Sequence, residues 1–517
     1  MLRRVRSLAA EISTAVFLLT GCGAGRGPAS PPPAIVGGAV RVSSASPFAP
    51  GCSGTGEGAT NYVGTAVEPA LAADPSDPLH LVGVWQQDRW SDAGANGLLA
   101  AVSRDGGRTW SGSYARFTRC TGGDYQRGTD PWVAISAAGV VHQLGLAFDA
   151  GAGRRAILAS RSLDGGVTWS EPVSLLADTD PDVALDKPSI TADPVRPPRV
   201  YAVWDRLTGV TAPSQSVATG PAWFARSPDD GASWEAARPI YDPGSDAQTI
   251  GNQVIVLPDG TLLDIFTKVT RLAETPQYTV AVLRSADGGD SWSAPIEVAQ
   301  ADPRGVVDPK NQEPVRTGDS LASAAVDPGT GTVYVAWEDS VFSGGARDGI
   351  ALSESSDGGA SWSAPRQVNG APLAQAFTPI VAAAGTVSVT YYDLRLDSLS
   401  DASRLLAAAW LATSADGGLT WRETELGAPF NLRAANSDGY FLGDYEGLAA
   451  VAGAVGAFFV MTNDGSAASS DVFFESSVWA AAPAASLEPA ERRGEPPLPP
   501  FRGRSPPREQ PAGPLAR

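Results

Sequence analysis

The chain has 517 residues, a formal net charge of −18, 57 glycines, 42 prolines and 14 tryptophans, but only two histidines and two methionines. So acidic a chain lacks the clustered Lys and Arg that neutralise phosphates, which argues against nucleic acid as a partner, and it is poor in soft or imidazole metal ligands. Length alone permits two to four domains, whereas the repetition found along the chain argues for one closed body.

In chain order, residues 1–25 read MLRRVRSLAAEISTAVFLLTGCGAG. Arg3, Arg4 and Arg6 precede a short apolar stretch that ends at Leu19-Thr20-Gly21-Cys22. Glu11 interrupts it, and it is too short to cross a bilayer as a helix. The stretch resembles a bacterial lipoprotein signal. That resemblance implies a signal peptide over 1–22, cleavage before Cys22, lipid on its thiol and a membrane-anchored, extracytoplasmic protein. An ordinary secretion signal is the alternative. Residues 23–45 read as a tether. Cys52 and Cys120 remain, and an even pair in an exported protein reads as a disulfide, here one flanking the first repeat.

Six near-copies of S-x-D-x-G-x-[ST]-W follow, with aspartates at Asp105, Asp164, Asp229, Asp287, Asp357 and Asp416, spaced by 59, 65, 58, 70 and 59 residues. Each follows a short apolar run such as "RAILASRS" and precedes an alternation such as "WSEPVSLL", the pattern of strand, turn, strand. The aspartate can accept backbone N–H bonds, the glycine two positions on supplies φ > 0, and the tryptophan covers the hairpin. The motif is thus expected to be a turn with a structural role.

Upstream of each copy lies a second hairpin, as in "VEPALAADPSDPLHLVGVWQQD" and "TDPWVAISAAGVVHQLGLAFD". Four strands per period of about 60 residues is the signature of a β-propeller blade. A seventh hairpin, "DYEGLAAVAGAVGAFFVMTND", is followed by "SDVFFESSVW" and has no turn motif. Its missing strand is expected from the segment around "AVRVSSAS", which would close the ring. The chain is therefore all-β, a propeller over 46–480 with seven four-stranded blades, six being the alternative. The Pro-rich stretch 481–517 reads as a disordered tail.

The six turns at this period resemble the Asp-box (BNR) repeats of the sialidase superfamily. The resemblance implies that the boxes lie on the face opposite the ligand site. It also supplies a test at the substrate-binding positions. Val67 stands where the family's first arginine is expected. Asn252 or Gln253 replaces a glutamate, and Thr267 or Lys268 replaces the second arginine. Asp88, Arg89 and Asp92 cover part of a further family segment, with Asp92 as a candidate acid/base, and Tyr445 stands near the place of the nucleophilic tyrosine. Its neighbour Glu446 should face the other side of the strand. A carboxylate clamp needs bidentate, permanently charged groups, so these replacements argue against sialidase turnover.

The face opposite the boxes is expected to carry Glu68, Asp130, Asp186, Asp319 and Asp444 at the entrances of the innermost strands. Asp88, Asp149, Asp205, Asp339, Asp393 and Asp464 end the second strands, beside Arg89, Arg206 and Arg395. With Trp85, Trp132, Trp204 and Tyr392, these groups could stack on and hydrogen-bond a sugar. Asp88, Asp92, Asp130, Asp186, Asp205 and Tyr445 are the catalytic candidates. Glu68, Arg89, Trp132, Arg206, Asp319, Tyr392, Arg395 and Asp444 are the ligand-binding ones. For each, capping a turn or linking blades is the competing role. Several oxygen ligands in one ring would also suit Ca²⁺, although no D-x-D-x-D-G loop is present. The expected function is glycan or cell-envelope binding by a monomer. A glycoside hydrolase with paired carboxylates and a protein-interaction platform are the alternatives.

Overall fold

The computed structural model describes residues 35–36 and 38–478, apart from 55–57, 152, 212–217, 273–274, 319–320, 436, 438, 452 and 466–468. The signal with Cys22, Asp319 and the tail from 481 lie outside the described residues. No helix among the described residues is long and apolar enough to cross a membrane.

Apart from three single-turn 3₁₀ segments, the described elements are strands. Most of them form seven antiparallel units, of four strands each except the seventh, which has Ile35–Val36 as a fifth. The first is Asn61–Ala73, Leu81–Trp90, Ala95–Ser103 and Ser111–Tyr114. The second unit opens with Arg127–Ile135, the third with Val183–Ala192, the fourth with Ala247–Val256, the fifth with Ser323–Val326 and the sixth with Ala376–Ala383. The seventh contains Gly447–Val451, Ala454–Thr462 and Ser470–Val478, and its fourth strand is Ala39–Arg41, paired to Phe473 and Phe474. That strand falls inside the segment 23–45 read as a tether, so the tether reading does not hold there. Units one and two are joined in one sheet by the single pair Ala95↔Gly128.

The opening strands follow one another in a circle. Each packs on the next, and Gly447–Val451 packs back on Asn61–Ala73. The sheets therefore surround a common axis as propeller blades.

The repeated turns fasten this circle. At Asp105, one carboxylate oxygen accepts the N–H groups of Arg108 and Thr109 while the other accepts the Thr109 hydroxyl at 2.6 Å. Gly107 has φ +87°, and a Cβ there would lie 1.9 Å from Phe474 of the seventh unit. The corresponding Gly166, Gly231, Gly289, Gly359 and Gly418 abut Val102, His142, Phe224, Leu263 and Leu352, each in the preceding unit. Glycine is thus demanded twice, by the left-handed backbone and by the neighbouring blade. Leu81 pairs with both Ala73 and Ser103, which puts the Asp105 turn at the end of the blade away from Asn61 and Trp90.

Cys52 and Cys120 form a disulfide, and Ser46 in the same N-terminal arm donates to Asp88 at 2.6 Å. A three-stranded sheet of Val306–Val307, Pro314–Arg316 and Tyr440–Phe441 lies outside the repeat pattern and carries Arg316 beside Phe441. The arrangement was not visible in "ADPRGVVDPKNQEPVRTGDS", because two- and three-residue strands leave no periodicity to read.

Candidate functional site at the axial mouth

Four opening strands share a local device. Glu68, Asp130, Lys187 and Thr378 each precede a proline, and each has a positive φ, of +52°, +51°, +44° and +55° respectively. The strand pairing slips at the same places, between Val67 and Ala70, Thr129 and Trp132, Asp186 and Ser189, and Phe377 and Ile380. Proline cannot donate to the ladder, so a bulge forms there. The left-handed conformation costs about 1–2 kcal/mol for a residue with a Cβ, and strain of this kind gathers where side chains must be aimed.

Three of the four meet. The Lys187 ammonium lies 3.6 Å from Glu68, 3.0 Å from Asp130 and 2.6 Å from Asp444, and all four side chains are at most 10% exposed. Arg316 grips Asp444 with two nitrogens, at 3.1 and 2.7 Å. Arg89 and Arg316 approach the same ring, with Cζ atoms 5.0 and 4.3 Å from the Phe441 centroid. Gln86 links the two sides, donating to Glu68 and to Thr129 and accepting from Arg89 at 3.1 Å.

The charges are tuned against one another. Burial drives Glu68 up to about 7, with Lys187 opposing, and raises Asp130 in the same way. Burial would also raise Asp444, but Lys187 and Arg316 together hold it below the ordinary carboxylate range. Burial would neutralise Lys187, yet Asp130, Asp444 and Glu68 keep it charged, well above its ordinary value.

Above the cluster opens a cleft of about 480 Å³ lined by Arg89, Asp130, Asp186, Lys187, Arg316 and Asp444, with Phe148 and Tyr278 as aromatic walls. Below it a cavity of about 50 Å³ is lined by residues of units two to seven, among them Trp132, Asn252, Glu338 and Tyr445.

Of the sequence candidates, the structure brings Glu68, Arg89, Asp130, Asp186 and Asp444 to the mouth. Tyr445 is close but buried. Its hydroxyl donates to the Pro131 carbonyl at 3.1 Å, its ring lies 5.2 Å from Trp132, and burial raises its pKa well above the ordinary value. Glu446 turns away to Tyr392 and the Val460 N–H. Tyr392 is fully buried in that contact and offers no face to a ligand, and Trp85 and Trp204 are likewise core residues.

The remaining candidates are structural. Asp88 accepts from Ser46, the Gly64 N–H and Asn96 at 2.6–3.1 Å. Buried Asp205 accepts from Thr249, the Gly251 N–H and Asn252, bracing units three and four. Arg206 pairs with Asp178 at 2.7 Å, and Arg395 pairs with Asp393 and Glu423 over Trp410. These are the turn-capping and blade-linking roles the sequence left open, and they take those residues out of the site. Asp92 lies in a neighbouring cleft, paired to Arg127.

Sequence reading missed Lys187 and Arg316. "DKPSI" aligns with "VEPAL", "TDPWV" and "FTPIV", so the residue before proline was the usable signal for Lys187. Among the described residues, no three or more His, Cys, Asp or Glu side chains are arranged to hold a metal ion. The cation at the centre of the carboxylates is Lys187 itself, in the place Ca²⁺ would need.

No family model matches the chain, and no curated protein matches it in sequence. Among solved structures, it is similar to a Hadza microbial sialidase at 17% identity, covering 77% of this chain and 76% of that one with a TM-score of 0.45. It is similar to a Penicillium chrysogenum α-L-arabinanase complexed with arabinobiose at 13% identity, over 79% and 92% of the two chains, TM-score 0.43. A leech intramolecular trans-sialidase matches at 14% identity over 80% and 68%, TM-score 0.39.

Proposed function

We propose that the protein is a lipid-tethered, extracytoplasmic β-propeller of sialidase-like architecture that binds a glycan at its axial mouth without turning it over. One observation carries this reading. At the mouth Glu68, Asp130 and Asp444 are gathered around one ammonium, all within 3.6 Å of Lys187. A two-carboxylate glycosidase needs the scissile bond, or a water, in the space between its carboxyl groups, which are about 5–9.5 Å apart. Here Lys187 fills that space. Tyr445, the remaining nucleophile candidate, donates its hydroxyl proton to the Pro131 carbonyl rather than to a carboxylate. What remains at the mouth is recognition chemistry: fixed charges, hydrogen-bonding oxygens and aromatic walls.

A hydrolase is the second reading, favoured by one feature. Glu68 is pushed up to about 7 while Asp444 is held low, and such a divergence marks an acid and its partner in many enzymes. The deciding experiment pairs calorimetry with product analysis on a panel of sialosides, arabinosides and neutral glycans. Binding with no released sugar supports the first reading. Turnover abolished by Glu68→Gln or Asp444→Asn establishes the second, and no binding to any glycan overturns both.

A further inference from the structure

The mouth cleft has a neighbour on the side of units two and three. A second cleft of about 470 Å³ adjoins it, and Leu146, Phe148 and Leu185 line both. Each space alone has the volume that holds a drug-sized ligand, about 300–1,000 Å³. A ligand confined to the mouth would leave the second cleft unused.

The second cleft has the opposite electrostatic character to the chain. Arg127, Arg154 and Arg155 line it against Asp92 and Asp149. Over both clefts, six Lys and Arg face five carboxylates, whereas the chain has 38 Lys and Arg against 56 Asp and Glu. Cations are thus concentrated along the groove of an acidic protein.

One of them has unfilled bonding capacity. Arg127 is 1% exposed and its Cζ lies 4.3 Å from the Trp90 centroid. One nitrogen, Nη1, serves Asp92 and the Ala93 carbonyl, while Nε and Nη2 have no partner. In the mouth, Nε of buried Arg89 is also without one. Buried donors without acceptors are costly, so a guanidinium with two nitrogens left so beside the second cleft points to an acceptor brought by the ligand.

We propose that the two clefts form one groove for an acidic oligosaccharide of several units, whose carboxylates are met by Arg89 and Arg316 at the mouth and by Arg127 and Arg154 in the second cleft. The proposal rests on the glycan-binding reading and names its ligand class. Linked subsites turn the second contact into an intramolecular event, so affinity rises with chain length until the groove is filled.

The test is calorimetry on the full chain with oligogalacturonides of one to six units and neutral cello-oligosaccharides of equal length. The expected result is a gain of about tenfold or more between two and five acidic units, with neutral chains much weaker. Arg127→Met should remove the gain and leave affinity for the two-unit acid unchanged. Should that variant fail to fold, Arg154→Ala, at a half-exposed side chain, should reduce the same gain. A short acid that binds with no gain on lengthening overturns the groove and leaves the mouth reading intact. Neutral chains binding as well as acidic ones overturn the charge assignment. No binding by any saccharide overturns both readings.

Discussion

The two ends of the propeller both carry rings of acidic residues, and the rings behave oppositely. At the turn end each aspartate is surrounded by donors. The Ser291, Ser361 and Thr420 hydroxyls and the adjoining N–H groups hold Asp287, Asp357 and Asp416 below the ordinary carboxylate range. At Asp164 desolvation works the other way, but the bonds from Thr168 and Ser162 prevail and bring it to about 2. At the mouth the carboxylates are buried and share one ammonium, so Glu68 and Asp130 rise. The same residue type is a fastener where donors are local and a tunable charge where its partner comes from another blade. Only the second arrangement leaves a carboxylate, Glu68, whose charge can change near neutral pH.

The sharpest way to break this contrast is to remove the shared ammonium. Lys187→Met strands buried Glu68 and Asp130 and leaves Asp444 to Arg316 alone, and loss of one partner of a buried ion pair costs about 3–5 kcal/mol. Denaturant unfolding should show that loss, and calorimetry should show glycan affinity falling with it. A loss no larger than that of an exposed lysine would mean that the cluster is not held by charge.

At the turn end, geometry should matter more than charge. Gly107→Ala places a Cβ 1.9 Å from Phe474 at φ +87° and should cost roughly 2–5 kcal/mol from overpacking and backbone strain together. Gly151→Ala is the control: its φ is +75° but nothing lies within 4 Å, so only the backbone cost of about 1–2 kcal/mol applies. Equal losses would show that blade-to-blade contact at the turns contributes little.

The pH dependences should run in opposite directions. Asp164 falls from 3.8 to about 2 on folding. Its contribution is complete above 3.8 and is lost as pH drops through the folded value, and the other turn aspartates act in the same sense. Thermal stability should therefore decline below pH 4, and Asp164→Asn should blunt the decline. Glu68 rises from 4.5 to about 7, so its contribution is complete below 4.5 and is lost as pH climbs through about 7. Glu68→Gln should flatten stability and glycan affinity between pH 5 and 8 while leaving the acid limb unchanged. This is the smallest of the expected effects, because Lys187 opposes the shift.

Much of the scaffold was legible. The turn spacing gave the blade period, and "AVRVSSAS" supplied the closing strand. The mouth was legible only in part. Glu68, Asp130 and Asp444 could be placed at the strand entrances by analogy between repeats. Asp88 and Asp205 looked equivalent to them, yet hydrogen-bond donors from the N-terminal arm and from the fourth unit turned them into braces. Arg316 was out of reach, because it comes from an insertion and its short strand pairs with residues more than a hundred positions away.

By itself the sequence determined the repeat, the turns and the order of the blades. Those depend on local rules: alternation within a strand, glycine at positive φ, and an aspartate that bonds to its own turn. Which carboxylates became a site was decided by the tertiary structure. Charge, burial and pKa at the mouth depend on Lys187 of the third unit, Arg316 of the insertion and Asp444 at the entrance to the seventh unit approaching one another, and proximity of that kind leaves no mark on the chain until the ring closes.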